Sequence, residues 1–263
     1  MGTPVDRITG AVVVSPHQNP GARYAEIDML RGVAIVMMVI YHLMFDLNYF
    51  GVTDVIFTNP FWFYFQRATA GLFIALVGVS LVLSTAQHRR KGTPEREIFK
   101  QMAARGLRIF AWGMLVTVVT GVVFGPNLAV IFGILHFIGV ATILAWPFLR
   151  LKWLNLMAWI GLALIWRWLQ TVTVAGSWWI WLGLQPANHV YVDYFPLIPW
   201  FGVVLLGVFL GNLLYPDGKR RFSLIGHPAR ATPWLGLLGR HSLTIYLVHQ
   251  PLLIGLLMLV TKR

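Results

Sequence analysis

The sequence contains no cysteine, which excludes disulfides, thiolate catalysis, Cys-ligated metals and iron–sulfur clusters. Charge is also scarce: 11% of the 263 residues carry it, against about 25% in an ordinary soluble domain. Acids are scarcest, with nine Asp and Glu against 21 Lys and Arg for a formal charge of +12. All the Lys, at positions 91, 100, 152, 219 and 262, fall outside the long apolar runs, so no retinal-type Schiff base can form inside one. What the chain does have is apolar surface: 57% hydrophobic residues, twelve Trp, seventeen Phe and a mean hydropathy of +0.69. That excludes disorder and an ordinary soluble fold. About 150 apolar residues, at about 20 per crossing, suffice for about seven passages through a bilayer and leave little for a domain outside it.

Seven apolar segments are read at 27–49, 61–85, 106–124, 130–148, 154–170, 196–215 and 235–260. The runs are continuous rather than alternating, which predicts helices and not barrel strands. The expected fold class is therefore all-α, a polytopic helix bundle of about seven transmembrane helices over residues 27–260. Residues 1–26, with Pro4, Pro16 and Pro20, read as a polar N-terminal tail. The stretch Ser177 to Trp181 suggests an added interfacial helix.

The connection from Gln87 to Arg108 holds seven Lys and Arg, the next on that side holds Arg150 and Lys152, and the third holds Lys219, Arg220, Arg221, Arg230 and Arg240. The stretches 50–60, 125–129 and 171–195 hold none. This asymmetry predicts a multi-pass protein of the cytoplasmic membrane with the N-terminus in the cytoplasm and the C-terminus outside. Lys262 and Arg263 then sit on the wrong side, which leaves room for a re-entrant segment. The basic connections suit a bilayer with anionic headgroups and give no reason to invoke nucleic acid. Gly207 and Gly211 on segment six permit helix pairing, including a homodimer.

Ionisable groups inside the membrane are costly and mark sites or relays. At 100° per residue, Asp28, Arg31, His42 and Asp46 share one stripe of the first segment. Asp28 with Arg31 alone would equally cap and anchor that helix. The i, i+4 spacing of His42 and Asp46 predicts a carboxylate–imidazole contact that would raise the basicity of the ring. On the last segment Ser242, Tyr246 and His249 fall within one arc, and Pro251 frees a carbonyl near Leu247. Depth arithmetic brings His136 and Arg67 to the outer half beside His42 and His249, with Arg167, His189 and Asp193 close by.

Arg31 followed after ten residues by His42 is the R-X10-H pattern of transmembrane acyltransferases. The run Glu26-Ile27-Asp28-Met29-Leu30-Arg31-Gly32, with Tyr41-His42 and Phe45-Asp46, resembles bacterial relatives of heparan-alpha-glucosaminide N-acetyltransferase. So do Phe132 to Gly139, Asp193-Tyr194-Phe195-Pro196 with Pro199 to Gly202, and Leu238-Gly239-Arg240 with Ser242-Leu243, Ile245-Tyr246 and His249-Gln250-Pro251. The resemblance implies an enzyme that takes an acyl group, typically acetyl, from cytoplasmic acyl-CoA and delivers it to an amino or hydroxyl group of a glycan on the far side. It implies His42 as the catalytic histidine, with Asp46, His136, Asp193 and His249 in support. Arg31 and Arg240 would meet the CoA phosphates, with Asp28, Ser242 and Tyr246 lining the same site, and no metal is expected. Such chemistry needs a base or a nucleophile and a donor for the tetrahedral oxyanion; His42 fits either of the first two, and Arg67, Tyr246 or the amides near Pro196 fit the last. Arg67 and Arg167 are also acceptor candidates. A proton-coupled transporter and a b-type haem protein are the competing readings.

Overall fold

The computed structural model describes residues 24–174, 176–184, 186, 193–222 and 232–261. The N-terminal tail up to residue 23, His189, Arg230, Lys262 and Arg263 lie outside them. Among the described residues there is no strand. The helices are α1 (Ala25–Tyr49), the single turn α2 (Val55–Thr58), α3 (Pro60–Arg90), α4 (Glu95–Phe124), α5 (Ile134–Leu144), α6 (Trp153–Leu169), α7 (Leu197–Leu214), α8 (Pro233–Arg240) and α9 (Ser242–Thr261). Five of them, α1, α3, α4, α7 and α9, are long and apolar enough to cross a membrane. With the shorter apolar helices α5 and α6 they make the expected seven. Local chemistry sets the starts: Pro60 opens α3, where its missing N–H costs nothing, and the Asn59 side chain accepts the Phe61 N–H at 2.9 Å.

The centre of the bundle is the α3–α7 pair, with α5 beside it, around Ile74, Phe137, Val204, Leu205 and Val208. On one side α6 packs on α7; on the other, α1 packs on α3 and α4 packs on α5. One end of the bundle gathers the basic residues. There Glu95 accepts from Arg89 at 2.8 Å and from Arg150 at 2.6 Å, so a carboxylate clips the end of α3, the start of α4 and the 3-10 turn at Trp146–Arg150. At the same end Glu26, 7% exposed, takes a two-pronged ion pair from Arg220 and a 2.9 Å hydrogen bond from the Tyr215 hydroxyl. This satisfied cluster ties the start of α1 to the chain leaving α7.

Three segments differ from the sequence-based expectation; the fourth, expected over 130–148, is α-helical only over Ile134–Leu144 and continues into the 3-10 turn at Trp146–Arg150. The third starts at Glu95 rather than 106, so Arg96, Lys100, Arg105 and Arg108 ride on a helix instead of a connection. The seventh is broken at His241 into α8 and α9. A methyl added at Gly239 would fall on the Asp28 carbonyl and one at Gly32 on the Leu235 carbonyl, so α8 runs against α1 in near-backbone contact. His249 and Gln250 then meet His42 and Asp46, so α9 runs with α1. The chain reverses direction between α8 and α9 at the basic end. Around Ser177–Trp181 the chain makes a 3-10 turn at Ser177–Trp179.

Candidate functional site

Two chambers run through the bundle. The larger, about 500 Å³, opens among residues of the basic end and is walled by α1, α3, α4, α5 and α9. Helical periodicity puts Ser80, Ser84 and His88 on one stripe of α3 facing it, and Gln101, Arg105, Arg108 and Trp112 on one stripe of α4. Arg31 completes the cationic side: it donates to Asp28 at 2.9 Å and to the Ser80 hydroxyl at 2.6 Å. Val77, Met102, Ile109 and Ile138 make up much of the remaining, apolar wall. The smaller chamber, about 60 Å³, lies beyond, among Tyr41, His42, Gln66, Thr69 and Asp193. Phe73, Ile134 and Tyr246 line both, so the chambers meet at those three side chains.

His42 lies at the wall of the smaller chamber, and its Nδ1 is 2.9 Å from the Met38 carbonyl. A carbonyl only accepts, so in the neutral ring Nδ1 carries the hydrogen and Nε2 keeps a free lone pair. That is the atom a base or nucleophile uses. Asp46 does not make the expected contact with His42. It is 3% exposed and accepts from the Gln250 amide at 2.7 Å across the α1–α9 interface, because its rotamer turns toward α9 rather than back along α1. The Asp193 carboxylate accepts from the Tyr246 hydroxyl at 3.3 Å and from the Ile134 N–H at 3.4 Å, at the N-terminus of α5 where the helix dipole favours an anion. His249 packs its ring on that of His42, with centroids 4.8 Å apart. Its Nδ1 bonds the Tyr246 carbonyl at 2.6 Å, not the Leu247 carbonyl that Pro251 leaves without its usual partner.

The remaining sequence candidates divide between the chamber walls and positions outside them. His136 is 1% exposed and fully engaged: its Nδ1 accepts from the Gly133 N–H at 3.2 Å, and its Nε2 donates to the Thr117 hydroxyl at 3.2 Å, which in turn bonds the Val130 carbonyl. It fastens the turn before α5 to α4 and lines neither chamber. Arg67 is exposed and stacks its guanidinium over Phe63 at 3.5 Å. Arg167, near the end of α6, and Arg240, at the end of α8, are exposed and also line neither chamber, whereas Ser242 and Tyr246 line the larger one. Sequence reasoning passes over Arg105 and Arg108 as loop charges. Their i, i+3 spacing at the start of an apolar run is the signal that they share one helix face. Among the described residues no group of three His, Asp or Glu is arranged to hold a metal ion.

Apolar helices around two adjoining chambers, the larger with cations at its mouth and the smaller with an imidazole in its wall, mark a polytopic membrane protein with a candidate site inside the bundle. Residues 23–251 match the family described as heparan-alpha-glucosaminide N-acetyltransferase, catalytic, and the chain belongs to that family of membrane acetyltransferases. No curated protein and no solved structure matches it.

Proposed function

We propose that this protein moves an acetyl group from acetyl-CoA, taken up at the basic end from the cytoplasm, to an amino or hydroxyl group of a sugar or glycan on the opposite side of the membrane. The observation that carries the reading is the meeting of the two chambers at Phe73, Ile134 and Tyr246. Arg31, Arg105, Arg108 and His88 supply positive charge and donors for the phosphates of CoA, which bind Arg most strongly through paired N–H groups. The apolar throat suits the pantetheine arm, and the thioester then reaches the smaller chamber beside His42. There His42 Nε2 serves as base toward the acceptor or as carrier of the acyl group, and Tyr246, which lines both chambers, serves a developing oxyanion by turning its hydrogen away from Asp193. The contact between the His42 and His249 rings leaves no space for a macrocycle between them, which disfavours a haem bound by that pair.

Purified protein given labelled acetyl-CoA and amino sugars should transfer label. His42→Ala should lower transfer by about 10²-fold or more, the usual range for loss of a general base, while CoA still protects the protein against thermal unfolding. Full activity in His42→Ala, or pH-driven uptake of solute into liposomes without any dependence on acyl-CoA, would overturn the reading.

A further inference from the structure

Behind His42 lies a second imidazole for which the transfer as described has no use. His249 is 7% exposed and lines neither chamber, and its ring meets that of His42 at 74°. The Tyr246 carbonyl fixes the hydrogen on Nδ1, so Nε2 is a bare lone pair, and that atom is enclosed with no hydrogen-bond partner among the described residues. A phenyl ring would fill the same space without burying an unmet acceptor, which is costly and uncommon. An imidazole with an unmet lone pair, its ring centroid 4.8 Å from that of a reactive ring, is suited to a state in which that ring is positively charged.

We propose that His249 is a positioning residue for the charged form of His42: its enclosed Nε2 offsets the positive charge that His42 acquires during acyl transfer. The inference rests on the acetyltransferase reading and assigns a role to a group that does not touch substrate. In the base-catalysed course, the acceptor nitrogen or oxygen bonds to the thioester carbonyl carbon while its proton passes to His42 Nε2. The tetrahedral adduct then collapses, the C–S bond breaks, and the leaving sulfur takes that proton from His42. In the acyl-carrier course, His42 Nε2 attacks the carbonyl carbon, the C–S bond breaks, and an N-acylimidazolium persists until the acceptor takes the acyl group and its proton goes to the thiolate. Both courses place one positive charge on the ring facing His249. The other titratable or charged groups around the pair are Tyr41 and Asp46 on α1, Arg67 on α3, Asp193 before α7 and Tyr246 on α9. Asp46 is turned to Gln250, Asp193 to Tyr246 and Ile134, and Arg67 to Phe63.

The test compares His249→Phe, which keeps a ring and loses the lone pair, with His249→Gln, which keeps an acceptor. For His249→Phe the expectation is a kcat lowered at least tenfold, an unchanged KM for acetyl-CoA, unchanged thermal stabilisation by CoA, and a pH–rate profile displaced from that of the wild type. His249→Gln should recover part of the rate. Wild-type kcat and profile in the Phe variant would overturn the proposal, as would equal losses in both variants together with loss of CoA stabilisation, the pattern of a packing role. Imidazole ¹⁵N spectra supply a readout that needs no turnover: the titration of His42 should be displaced in His249→Phe relative to the wild type, because a neighbour that favours its charged form is gone. A His42 titration that is the same in wild type and His249→Phe overturns the role of His249 by itself, whereas an absence of acetyl transfer by the wild type overturns the acetyltransferase reading.

Discussion

A neutral imidazole has one hydrogen, and the group that takes it decides what the other nitrogen can do. In this protein backbone carbonyls on α1 and α9 take it from His42 and His249, leaving both Nε2 atoms as acceptors, while His136 shares both nitrogens with its surroundings and has no free electron pair to offer. The polar residues near the basic end act differently, as clips. The Arg89 guanidinium bonded to Glu95 holds its carboxyl below the usual carboxylate range. A carboxyl with a lower pKa folded than unfolded stabilises the fold above its unfolded pKa and loses that contribution as the pH falls through the folded one. Glu95→Gln should therefore lower the thermal midpoint slightly at neutral pH, since the pair is exposed. The difference from wild type should vanish as the pH drops below the carboxylate range, and melting curves in detergent across that window check it. His42, Tyr246 and His249 stand out in the sequence because so few ionisable groups occur in apolar runs, and Asp193 stands out through its motif block. Their partners are not: i, i+4 arithmetic puts His42 and Asp46 on one face, but it cannot say that the carboxylate turns to Gln250 on another helix.

Helices set how close those side chains can come. The α8–α9 hairpin presses on α1 through Gly32 and Gly239, and α9 carries Tyr246 and His249 to the site. Gly32→Val would drive a side chain into the Leu235 backbone, which cannot move aside without shifting α8. It should cost about 1–3 kcal/mol and lower acetyl transfer with it. Gly236→Ala is the internal control: no neighbour lies within 4 Å of the added methyl, and alanine is the better helix former, so stability should hold or rise. Equal melting temperatures for the two variants would contradict the packing described. Hydropathy alone marks the seven apolar helices well, because each needs a long apolar run to meet the lipid. It does not mark the break at His241, since α8 and α9 are both apolar and the reversal depends on what α8 packs against. It also misses the first eleven residues of α4, where charged side chains project from a helix and are indistinguishable by composition from a connection.

At the scale of the whole molecule, charge, depth and shape point one way. The cations gather at one end, the free imidazole Nε2 of His42 lies toward the other, and a chamber of about 500 Å³ meets one of about 60 Å³ between them. On the proposed reading, an acyl donor with a polyanionic head and a long thin arm takes that order, and the acceptor approaches from the opposite side. Membership of the family is readable from motif blocks spread along the chain, and the structure adds where Arg105 and Arg108 stand. The most direct test is a density map of the protein with a non-hydrolysable acetyl-CoA analogue. The account predicts the nucleotide and its phosphates between Arg105 and Arg108 at the basic mouth, and the thioester carbonyl carbon in contact with His42 Nε2. A nucleotide bound at the opposite mouth, or an analogue lying wholly outside the larger chamber, would contradict it.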